Sequence, residues 1–102
     1  MNVKIKTTRT PVFLMANLGS EMSQLFSHIE KGELKLAGFA AVRADKIITE
    51  LIARSDMKNR TKEIEILREI MKDVFEEKRC FAVKKIEIEE YFMPFALRAM
   101  SV

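Results

Sequence analysis

The sequence predicts an all-α fold: three long helices and a short C-terminal helix in a small up-down bundle, with minor β structure at the N-terminal arm as the one exception. Three observations carry this. Apolar residues recur every three to four positions along three stretches, the period of a helix with one face in a core. Only three Gly and two Pro occur in 102 residues, few turn-formers for an all-β chain. The apolar share is 48% and the charged share 32%, enough to bury a core and too apolar for a disordered chain. A chain of this length reads as one domain, residues 1–102.

Residues 1–9 are polar with one short alternation, Val3-Lys4-Ile5-Lys6, and read as a flexible arm or a short strand. Thr10-Pro11 is a helix start. The Thr hydroxyl can accept from a free backbone N–H, and Pro at the first helical position loses no hydrogen bond. The first helix runs to about Lys31, with Leu14, Leu18, Met22, Leu25 and Ile29 on one stripe. Lys31-Gly32 is its stop: a cation at the negative end of the helix dipole, then the residue that tolerates a left-handed conformation. The second helix runs from about Glu33 to Arg54, and the short turn makes the two antiparallel neighbours. Its small first half, Ala37, Ala40, Ala41 and Ala44, lets another helix approach closely.

Ser55 to Arg60 reads as a polar loop. The third helix runs from about Thr61 to Lys78 with Ile64, Leu67, Met71, Val74 and Phe75 as its main stripe. Ile66 and Ile70 widen that stripe to half the circumference, so contact on two sides is expected. The last segment carries two patterns. Ile88, Tyr91, Phe92, Phe95 and Ala99 have helical spacing, broken or restarted at Pro94, while Val83 to Glu89 alternates as a strand would. In the strand reading Lys4 and Lys6 face Glu87 and Glu89 across a two-stranded ribbon. The expected core draws on Leu18, Met22, Leu25, Ile29, Ala41, Ala44, Ile48, Leu51, Leu67, Met71 and Val74.

Composition excludes several function classes. Cys80 is the only cysteine, so no internal disulfide and no cysteine-based zinc site can form within one chain. A lone thiol fits a reducing compartment, and a cytoplasmic location is expected. Lys4, Lys6 and Arg9 precede the apolar run Pro11–Met15 as in a signal peptide. The run is short and continues as an amphipathic helix. No apolar stretch approaches the roughly 18 residues of a membrane span. With one His and no second soft ligand, no metal and no cofactor are expected. No phosphate-binding glycine loop, zincin motif or nucleophile elbow is present.

One short motif suggests chemistry. His28-Ile29-Glu30-Lys31-Gly32 resembles the H-x-x-K-G core of histidine phosphotransfer domains, which are four-helix bundles of about this length. That resemblance covers five residues. It implies a phosphoryl group accepted by His28 and steadied by Lys31. The same five residues also read as a helix flank and a helix end.

Two further features point to binding. Arg54, Lys58, Arg60 and Lys62 are the densest basic segment, in a chain of net charge +3, and could grip the phosphates of a nucleic acid. The segment also contains Asp56 and leads into Glu63-Ile64-Glu65, so a solvated helix–helix connection is the plainer reading. Phe39 lies nearly opposite Ala41, Ala44 and Ile48 on the second helix, facing away from the expected core. The tail residues Tyr91, Phe92, Phe95 and Leu97 are too apolar to be left in water. They either close the core or dock on another chain. By subtraction, the expected function is a non-enzymatic protein–protein interaction module that self-associates, as a dimer in the simplest case. Nucleic-acid or regulatory binding through 54–62 is the second reading and phosphotransfer at His28 a distant third.

Overall fold

A computed structural model of the chain describes residues 10–76 and 82–100. It contains four helices: α1 Pro11–Glu30, α2 Leu34–Ala53, α3 Thr61–Phe75 and α4 Lys85–Met100. A 3-10 helix, Ser55–Arg60, links α2 to α3. No strand occurs among the described residues. The N-terminal arm and Cys80 lie outside them.

The termini of α1 follow the sequence signals. Thr10 Oγ1 accepts from the Phe13 amide at 3.1 Å, and Pro11 opens the first turn. At the far end the Glu33 amide donates to the His28 carbonyl at 2.8 Å and the Gly32 amide to Ile29 at 3.1 Å. Gly32 sits at φ +74°, so the turn is a Schellman motif that needs a left-handed residue after the cap. The reversal lays α2 antiparallel to α1.

Successive contacts fix the remaining directions. Asp45 on α2 meets Arg68 on α3 at 2.9 Å, and Gly38, two turns earlier on α2, approaches Phe75, two turns later on α3. Gly19 on α1 meets Phe92 on α4, and Ser23 meets Glu89. Each neighbouring pair is therefore antiparallel, and the order is up-down-up-down. Helix α1 packs against α2 on one side and α4 on the other, and also touches α3.

The core runs through all four helices. Leu14, Leu18, Met22 and Leu25 of α1 are fully buried, as are Ala44, Ile48 and Leu51 of α2 and Ile64 of α3. Of the expected core residues, Ile29, Ala41 and Val74 are half-buried and packed against this centre.

Three expectations about local structure are corrected. The 3-10 connector is not merely a polar loop. Met57, in its middle, is buried, so the connector is tied to the core by one thioether side chain between charged neighbours. Residues 85–89 are helical, which removes the ribbon between Glu87 and Glu89 and the N-terminal lysines. The i, i+4, i+7 set of Ile88, Phe92 and Phe95 lies buried on one face, whereas Ile86, which a strand would put beside Ile88, points to solvent. The Lys84 amide donates to the Glu87 carboxylate at 2.8 Å, half of a capping box that starts the helix. Finally, α4 is sixteen residues long and runs through Pro94 rather than stopping there. Pro94 lies on the exposed side, where water can satisfy the Glu90 carbonyl that loses its amide donor.

Candidate functional site

The aromatic candidates divide in two. Phe92 and Phe95 are buried within the chain's own core and Tyr91 is half-buried. Their rings form a cluster, Tyr91 edge-on to Phe92 at 4.8 Å and Phe95 tilted 6.0 Å from Tyr91. The tail thus closes the bundle. Phe39 and Leu97 remain half-exposed, at 50% and 57%.

Phe39 belongs to a groove between α2 and α3 with a volume of about 930 Å³. Leu34, Phe39 and Val42 line it from α2, Met71 and Phe75 from α3, and Gly38 and Ala41 leave space between them. Leu34, Val42 and Phe75 are themselves between 38% and 57% exposed. The groove is open because Gly38 and Ala41 put little side chain between the two helices there. A Cβ at Gly38 would lie 3.9 Å from the Phe75 ring, an ordinary contact distance. Gly38→Ala should therefore raise stability by about 0.5–1 kcal/mol, the usual gain for replacing an interior helical Gly. A denaturation midpoint that fell instead would show that the groove needs the missing side chain.

The rim is basic. Lys35, Lys46 and Lys72 border the groove and make no ion pair among the described residues. Arg68 is tied to Asp45 at 2.9 Å and to Thr49 Oγ1 at 2.7 Å, so this pair contributes little net charge. An apolar floor with three ammonium groups on its rim suits an apolar surface flanked by carboxylates.

The basic segment at 54–62 is organised differently. Arg54 donates through both Nε and Nη2 to Asp56, at 2.9 Å each. These hydrogen bonds raise the guanidinium above its ordinary pKa and hold the Asp56 carboxyl below the usual carboxylate range. Arg60 donates to both oxygens of Glu63, at 3.1 and 2.9 Å, and its guanidinium lies 5.1 Å over the Phe95 ring. Glu63 also accepts from the Tyr91 hydroxyl. Arg60 thus fastens the start of α3 to the aromatic cluster of α4, a structural role the sequence did not reveal. Lys58 and Lys62 are exposed without ion pairs among the described residues.

His28 is half-buried near the end of α1, with Nδ1 2.8 Å from a Glu33 carboxylate oxygen. One ring nitrogen is thus engaged by an acidic neighbour just past the turn. Among the described residues no group of three or more His, Cys, Asp or Glu side chains could hold a metal ion, and no helix is long and apolar enough to cross a membrane.

These features define a small antiparallel four-helix bundle with an open, basic-rimmed apolar groove on one side. The chain matches no protein-family model, no curated protein and no solved structure.

Proposed function

We propose that the chain is a non-enzymatic protein-interaction module whose docking surface is the α2–α3 groove, and that it takes the apolar face of an amphipathic helix with acidic flanks. The observation that carries this reading is the pairing of an apolar floor left open by Leu34, Phe39, Val42 and Phe75 with three rim lysines that make no ion pair among the described residues. Half-exposed large apolar side chains gathered in one concave site favour recognition over chemistry. Two adjacent antiparallel helices offer the seat used when a third helix lays its i, i+3, i+4, i+7 residues into a groove. The second reading, phosphate binding at 54–62, draws on Lys58 and Lys62, because Arg54 and Arg60 already carry carboxylate partners.

The test uses the full chain and a labelled designed helix with a leucine stripe and glutamate flanks. Fluorescence anisotropy should show saturable binding that weakens at least about tenfold on Phe39→Ala, roughly 1.4 kcal/mol. A peptide with lysine flanks should bind more weakly by a similar factor. Binding indifferent to Phe39 and to the sign of the flanks, or no binding, would sink the proposal.

A further inference from the structure

We infer that the natural occupant of the groove is α4 of a second copy of this chain, an inference that rests on the groove reading above. Helix α4 has two apolar faces. The inner one, Ile88, Phe92 and Phe95, is consumed by the core. The outer one is Ile86, Met93, Leu97 and Met100, each 52% to 79% exposed. Steps of seven, four and three residues place these four on one line along the helix. The line extends about 21 Å, and the α2 side of the groove from Leu34 to Lys46 extends about 18 Å, at the rise of an α-helix. A ridge and a furrow of matching length thus lie on the same molecule.

Charge selects this pairing over the alternatives. Glu90 falls within the outer line and has no partner among the described residues, and Glu87 borders it. Two grooves face to face would set Lys35, Lys46 and Lys72 of one copy against those of the other. Two ridges face to face would bring Glu90 of the two copies together with none of the rim lysines opposite them, and would appose two convex surfaces. Ridge into groove brings Glu87 and Glu90 toward the lysine rim and buries both apolar sets. Arg98, on the flank of the ridge, is already engaged. The groove lies on α2 and α3 and the ridge on the outer side of α4, so the contact is heterologous. Repeated head to tail, it gives an open chain or a ring rather than a two-fold dimer.

Complementation between two variants of the full-length chain tests this. Sedimentation velocity of the wild type, from about 5 to about 500 μM, should show mass rising beyond a dimer, as for a small, reversible interface. Phe39→Glu spoils the groove and leaves the ridge. Leu97→Lys spoils the ridge and leaves the groove. Both positions are half-exposed, so both variants should retain the wild-type helical spectrum. Each alone should be monomeric. Mixed in equal amounts, they should form a one-to-one dimer and nothing larger, because only one intact groove meets one intact ridge. A mixture that stays monomeric overturns the inference. So does self-association that survives Phe39→Glu (ridge on ridge) or Leu97→Lys (groove on groove). If the wild type is monomeric throughout while the acidic helix still binds in a Phe39-dependent way, the partner is another protein and only this inference falls. If that binding is also absent, both fall.

Discussion

Replacing Gly19 by Ala is expected to destabilise the protein by about 2–3 kcal/mol, a fall of roughly 10–20 °C in melting temperature for a domain of this size. Helix propensity alone predicts the opposite, a gain of about 1 kcal/mol. Packing decides the sign. A Cβ at Gly19 would sit 2.6 Å from both Cβ and Cγ of Phe92, well inside contact distance. The ring could rotate away, but the Phe92 Cβ is fixed to the α4 backbone. The two helices would have to separate, and every contact along their interface would loosen. For the same reason trimming Phe92 to Ala should not rescue Gly19→Ala, since the Cβ remains. Thermal melts of the single and double variants measure this. A Gly19→Ala variant as stable as the wild type would mean that α1 and α4 do not approach this closely.

Phe92→Ala, made alone, should cost about 3–4 kcal/mol, the range for deleting a large aromatic from a closed core. Phe92 is 4% exposed and packed edge-on against Tyr91. The loss should be the same at every protein concentration, because the side chain is enclosed by its own chain. An interface residue would behave otherwise, with a melting temperature that rises with concentration in the wild type and loses that dependence in the variant. Phe39→Ala is the contrast within the same molecule, with little effect on stability at low protein concentration and loss of the wild type's concentration dependence expected. Chemical denaturation of both variants over a wide concentration range separates the roles. A concentration-dependent penalty at Phe92 would move that residue from core to contact surface.

Local signals reported the fold well where they were self-contained. Thr10-Pro11 and Lys31-Gly32 marked the ends of α1 because capping depends on groups within a few residues. The start of α4 was hidden because Ile86-Glu87-Ile88-Glu89 fits two periods at once. The choice was made by α1, which offers a long apolar face to Ile88, Phe92 and Phe95. Met57 escaped notice because one apolar residue among Ser55, Asp56, Lys58 and Asn59 carries no periodicity. Gly19 did leave a trace: a glycine inside an otherwise strong helical stripe marks a close approach. That trace does not say which helix approaches.

The groove was legible only through Phe39. Its other walls, Val42 and Phe75, are apolar residues that a sequence assigns to a core by default. They border a groove that Gly38 and Ala41 leave open beside the Asp45–Arg68 contact, a matter of which helices become neighbours. The charge reading of 54–62 missed the same kind of information: Glu63 is a local partner three residues on, but Phe95, which lies under the Arg60 guanidinium, comes from α4.

Helix α1 touches all three of its companions, and this divides the surface unevenly with respect to mutation. A change on α1 is filtered by several neighbours at once, so its inward positions have little room to drift. The outer turns of α2 and α4 answer to no one inside the molecule and can vary without unfolding it. A lineage carrying this bundle could therefore redraw its outer surface, residue by residue, while its spine stayed fixed.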